Sequence, residues 1–503
     1  MATVTSVGSG NYNTGSTWDS GARPGSSDDV VIANGHDVTL VQDENANSLE
    51  VESGGTLTVS GGTHKITIDG ENSSGFAANI NGAIVESGGG KLQLQIETQA
   101  TTTINIVPSS GNVHHLRLNH ASADVHYSGN TTLTGNLNIT LGTLNCSNSA
   151  GSFTVAGRTD IGPASGSADQ ATLTCGDATM SLGSGRTSSF ALVVNQGGTF
   201  AGGSGTHTIG SIETKNNSNA KMTMTSGECT IDSENSGDNR AILVETNATF
   251  DNNDGTIKIT HAGDTNIEFK SGTTSPKCPH NFTIDKSDND VKTHGDLRID
   301  NDLFIKIVDT SHSMRPSSAS DTLTVIGDVT LNKGKLGAST NYTSAISFGS
   351  LTIDADGEYI ATSGTTTITN KNSSNYMFDN NGTFTHNNGT VHFKADTSSG
   401  TWYAMDGASS ATETEFYNIS TERVRASGTE QYRFWVGGAG KHLTVLNNID
   451  IGENTNVFSS NGSGNFKLLG NCYIRGTTGG LNLDNVTTVN MGTVTIESGG
   501  TLE

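Results

Sequence analysis

HHLRLNHASADVHYSGNTTLTGNLNI, residues 114–139, aligns without gaps on HNFTIDKSDNDVKTHGDLRIDNDLFI, residues 280–305, at an offset of 166. Leu116 falls on Phe282, Leu118 on Ile284 and Val125 on Val291. Leu133, Leu137 and Ile139 fall on Ile299, Leu303 and Ile305, and Gly129 falls on Gly295. Every matched apolar position stays apolar while the polar ones drift. A shared buried face predicts that pattern. Within each copy the apolar residues alternate with polar ones, which is the period of a half-buried strand.

The same alternation runs along nearly the whole chain in short tracts broken by Gly, Asn, Asp and Ser. Examples are DDVVIANGHDVTLV (28–41), NSLEVESGGTLTVSGG (47–62) and GTVTIESGGTLE (492–503). ESGGTL occurs at 52–57 and again at 497–502, and LTVIGDVTLN (323–332) is close to LTVLNNIDIG (443–452). FDNNDGTIKI (250–259) and FTHNNGTVHF (384–393) form another pair, and a weaker third copy of the long repeat starts at 416. A sandwich, a barrel and a parallel β-solenoid all use short strands of period 2. The repeats favour the solenoid, because the tracts continue without separators and each coil buries its apolar row against the next. An assumed 20–25 residues per coil gives about 20–25 turns at ~4.8 Å each. The expected organisation is a cap over residues 1–30 followed by modules at 31–240, 241–380 and 381–503, with Trp18 and Pro24 in the cap.

Composition agrees. Of 503 residues 63 are glycine and only 6 proline, and 15% are charged, well below the usual quarter. Helix formers are sparse. The formal net charge of −23 argues against nucleic acid and anionic membrane as partners. No apolar run reaches the length of a membrane span, so no membrane insertion is expected. The start, MATVTSVGSGNYNTG, shows neither a basic nor an apolar leader region. Five scattered cysteines without a C-x-x-C pair read as small buried hydrophobes.

The segment WDSGARPGSSDDVVIANGHDVTLVQDENANSLEVESGGTLTVSG (18–61), with GNLNITLGTLN, GDLRIDNDLFI and LTVIGDVTLNKGKL, resembles β-helical modules of large surface and virion proteins. These tracts are similar to repeats of autotransporter-like adhesins and of phage fibres and spikes. The resemblance implies an all-β, right-handed parallel β-helix with an extracellular, cell-surface or virion location. Without a visible leader or an autotransporter barrel, the virion version is expected: a rod-like fibre, spike or head decoration presenting a recognition surface. The partners expected are other virion proteins or copies of the chain, with a host surface glycan as a candidate ligand. A polysaccharide-degrading tailspike enzyme and a bacterial cell-surface adhesin are the alternatives. The resemblance carries no catalytic residue onto this chain.

Candidate chemistry in the residues is sparse. Of histidines 114, 115, 120 and 126, His114 and His120 share a strand face but lie too far apart to share a metal, His115 takes the other face, and all are expected to face solvent. The acidic turns DNND (251–254), DADGE (354–358) and SSDD (26–29) match no calcium loop; ordinary turns are expected, with weak structural calcium as the one cofactor to consider. The non-random spot is 402–435, which holds 7 of the chain's 28 aromatics. Trp402, Tyr403, Tyr432 and Trp435 lie there with Arg423, Arg425 and Arg433, the chemistry of glycan stacking and interface anchors. A locally thicker core would give the same enrichment. On QYRFWV, Tyr432 and Phe434 are expected on one face, Arg433 and Trp435 on the other.

Overall fold

The computed structural model describes residues 1–147, 151–163, 170–271, 277–337, 342–395, 402–406, 414–424, 427–435, 442–460, 465–476, 479–483 and 488–503. It is a parallel β-solenoid of about 18 turns, and the one described helix is the three-residue Gly15–Thr17. The chain divides into two compact units, Met1–Ile257 with Lys270–Lys277, and Lys258–Phe269 with Cys278–Glu503.

Each turn contributes three strands, and each strand stacks parallel on its counterpart in the next turn. In the first unit Ala171–Thr174, Thr179–Leu182 and Leu192–Val194 make one turn. Leu173 then pairs with Phe200, Met180 with His207, and Leu192 with Ile212. In the second unit Val291, Leu297 and Leu303 pair in the same way with Met314, Leu323 and Val329. Turn length varies: Leu116 pairs with Leu137 across 21 residues, but Gly142 pairs with Ala171 across 29. Those longer corners are why there are fewer turns than a uniform short coil predicts.

The long repeat is structural. Leu116, Leu118, Val125, Leu133, Leu137 and Ile139 are fully buried, and so are Phe282, Ile284, Val291, Ile299, Leu303 and Ile305. Leu118 pairs with Ile139 as Ile284 pairs with Ile305, so one copy spans two stacked turns. Gly129 and Gly295 close equivalent corners at φ 91° and 73°, a region that costs side-chain-bearing residues strain. The described non-glycine residues with positive φ are seven asparagines and Asp254, the types that tolerate this conformation.

The N-terminal segment is part of the stack. Ala2–Thr5 pairs with Asp28–Ile32, and Gly10–Asn11 with Asp37–Leu40. Trp18 is buried edge-on against Tyr12, and its indole N–H donates to the Tyr12 carbonyl at 2.7 Å. Residues 240 and 380, the expected module borders, begin one strand (Arg240–Val244) and end another (Tyr376–Asn380). Pairing continues past 380, because Tyr376–Asn380 stacks on Trp402–Asp406.

The interior is mostly apolar, with buried Thr and Ser and a few charged groups such as Glu44, Lys286 and Glu430 among them. All five cysteines are buried free thiols, and burial pushes those of Cys146, Cys229 and Cys278 up to about 12. His207 is the outlier. It stands fully buried in the ladder between Met180 and Cys229, edge-on to Phe200, with no hydrogen-bond partner on either ring nitrogen. Burial lowers its pKa to about 4, so the imidazole is neutral at pH 7.

Candidate functional site

An outward row on one face of the first unit forms a polar groove of about 520 Å³, a size suited to small-ligand binding. The row comes from successive turns. Arg117 pairs with Asn138, and Asn138 with Asp160. Each sits between two buried residues, all apolar except Thr159, so the pleat aims it outward. Gln93, Thr140, Arg158, Gly162, Pro163 and Asn195 also line it. From the Gln93 turn to the Asn195 turn there are four inter-strand steps, so the groove runs roughly 19 Å.

Its hydrogen bonds fix the polar groups. Arg158 donates from Nε and Nη2 to Asp160 Oδ1, at 2.9 and 2.6 Å. Asn195 Nδ2 reaches the same oxygen at 3.4 Å and the Gly162 carbonyl at 3.3 Å. Arg117 Nη2 donates to Asn119 Oδ1 at 3.2 Å, and Asn119 Nδ2 donates to Glu97 Oε1 at 3.1 Å. Glu97 follows Ile96, which pairs with Ile68; Asp69 therefore lies one turn away. Burial raises the Asp69 carboxyl pKa, and the Glu97 charge adds to this. The groove thus offers amide and guanidinium donors and acceptors at strand spacing, a pattern that fits ligand hydroxyls. Among its described lining residues there is no His, Cys or Lys.

The predicted aromatic segment divides between inside and outside. Tyr432, Phe434 and Phe416 are buried. The Tyr432 hydroxyl accepts from the Ala395 N–H at 3.0 Å and lies 2.8 Å from the Glu422 carbonyl. Tyr432 is therefore a core residue and not a ligand contact, because the pleat that turns Phe434 inward turns Tyr432 with it. Tyr417 stacks on His386 at 5.7 Å. Trp402 and Tyr403 lie on the strand Trp402–Asp406, paired with Tyr432 and Arg433, and Trp435 pairs with Asp406. The side chains of Trp402, Tyr403 and Trp435, and all of Arg425, lie outside the described residues. Arg433 is half-buried. Arg423 Nη1 donates to the Gly428 carbonyl at 3.3 Å.

A second groove, of about 410 Å³, does open beside this segment. Asn418, Asn448, Asp450, Tyr473 and Arg475 line it, not the predicted aromatics. Arg475 grips both carboxylate oxygens of Asp450, at 2.5 and 2.7 Å.

Among the described residues no group of three or more His, Cys, Asp and Glu gathers to hold a metal ion. In the acidic turns the polar side chains bond the protein: Asp251 Oδ1 accepts from the Asn253 N–H, Asn252 Oδ1 from the Asp254 N–H, and Asp354 Oδ2 from Asn332. Histidines 114, 115, 120 and 126 are partly exposed, because the turns above and below shield part of each outward side chain. No described helix is long and apolar enough to cross a membrane.

Neither groove was legible in the sequence. The Arg117–Asn138 contact crosses 21 residues, and one turn is not recognisable from its residue count. The only available signal was the polar drift between the aligned apolar rows. Compared with known proteins, the chain matches no family model, no curated protein and no solved structure.

Proposed function

We propose that this chain is a structural and adhesive β-solenoid of a virion appendage, a fibre, spike or head decoration, that presents glycan-recognition grooves on its outer faces. The observation that carries the recognition part is the first groove, where Arg117, Asn138, Arg158, Asp160 and Asn195 line one continuous polar channel. Backbone ladders hold these side chains in place, so little ordering is needed on binding. The virion part rests on the sequence resemblance, with which the solenoid is compatible. Immunogold labelling of particles and cells from the source culture tests it. Label on a particle appendage is the expected result. Label confined to the cell envelope makes the chain a surface adhesin and overturns the virion assignment.

The neighbouring carboxylates Asp69 and Glu97 favour one second reading, a polysaccharide-cleaving enzyme. They follow the paired Ile68 and Ile96 on adjacent strands, and a glycosidase works with two neighbouring carboxyl groups. Release of new reducing ends from a bound polysaccharide, lost in Asp69→Asn, would establish that reading. An intact polysaccharide after prolonged incubation rejects it.

A further inference from the structure

We infer that the first groove selects a glycan carrying an isolated acidic sugar, a uronic or sialic acid, whose carboxylate seats on Arg117. This inference rests on the recognition reading above and names the ligand class of that groove.

The charges in the groove are unequally spent. Arg158 is neutralised by Asp160, which also takes Asn195. Among the described residues Arg117 meets no carboxylate. Among the described residues its one side-chain hydrogen bond goes to the neutral amide oxygen of Asn119, and its Nε is buried without a partner. Glu97 is held at one remove, through Asn119. A half-buried guanidinium without a counter-ion is an unfavourable arrangement that an incoming carboxylate relieves. Planar fork geometry makes arginine the side chain best matched to that group. Asn138 lies one turn from Arg117, placed to bond hydroxyls of the flanking sugars.

The charge of the whole chain narrows the class. A formal net charge of −23 repels a densely charged polyanion at long range. A mostly neutral glycan with one acid per repeat satisfies Arg117 without that repulsion.

The test uses the full chain and oligosaccharides of about four to six sugars, each carrying one uronic or sialic acid, beside the same molecules with that carboxyl reduced to an alcohol. Binding is measured by calorimetry. The acid form is expected to bind at least about tenfold more tightly than its reduced partner. Arg117→Gln should abolish that difference, and Arg117→Lys should keep part of it, with thermal melts confirming that both variants fold. Equal affinity for the two forms overturns the acidic-sugar inference and leaves glycan recognition standing. Binding of neither form by the wild type overturns both. A preference that survives Arg117→Gln but disappears in Arg475→Gln also overturns the inference, because it moves the acid to the second groove.

Discussion

The repeat copies at 114–139 and 280–305 have equivalent inward rows and different outward ones. Where the first copy places Arg117 and Asn138, the second places Thr283 and Phe304. Where the first has Asn119 and Thr140, the second has Asp285 and Lys306. Both inward rows are fully buried. The outward consequences differ. The first copy helps build a groove of amides and guanidinium groups. In the second, a smaller hollow of about 370 Å³ includes Asp285 and Lys306. Lys306 and Lys258 both lie 3.3 Å from Asp285, so the carboxylate there is already engaged within the protein. A solenoid turn therefore has two separable parts: an inward row that keeps the stack together and an outward row that is free to specialise.

The largest effects should come from breaking the shared part. Leu118→Asp and Ile284→Asp each put an unpaired carboxylate into a sealed interior, and each should lose at least about 4 kcal/mol in denaturant unfolding. Tolerance of either substitution would show that the two copies are not equivalent.

Acid should separate the two units next. The folded pKa of His207, about 4, lies below the ordinary 6.5, so the unfolded chain takes up the proton first. The stability contributed above that ordinary value is lost as pH falls through the window from about 6.5 to 4. Between pH 7.5 and 4 the wild type should lose on the order of 3 kcal/mol more than His207→Leu. Hydrogen exchange should place the loss in the first unit. Asp290, in the second unit, has its carboxyl held low by hydrogen bonds from Ser313 and Arg315, which outweigh burial. Its contribution fades only at still lower pH, below the usual aspartate range. Equal acid loss in wild type and variant would remove His207 as the cause.

Tyr432→Phe is a smaller perturbation, confined to the second unit. It removes one buried hydroxyl while keeping the ring, and should cost about 1–2 kcal/mol in a thermal melt. An unchanged melt would mean that the hydroxyl network around Ala395 and Glu422 adds nothing to the packing.

The smallest effect tests the free part. Exchanging the outward pair of the second copy for that of the first, Thr283→Arg with Phe304→Asn, should alter stability by no more than about 0.5 kcal/mol. A large loss would show that the outward row also carries the fold.

The inward half of the molecule was readable because burial acts on single residues. A position that faces the core must be apolar, and a strand repeats that demand every second residue. Leu116, Leu118, Phe282 and Ile284 could therefore be assigned from spacing alone. The aromatic segment shows where this reading stops. A window of sequence counts Tyr432, Phe434 and Phe416 but does not show whether their face is covered, and all three are interior. The groove lies further beyond reach. Arg117, Asn138 and Asp160 are neighbours only because successive turns have particular lengths, and corner loops of variable size set those lengths. By itself the sequence determined the strand period, the buried rows, the repeat and the solenoid class, since all four follow from local alternation and burial. Only the tertiary structure decided which outward residues stand side by side, because stacking register depends on how many residues each corner absorbs.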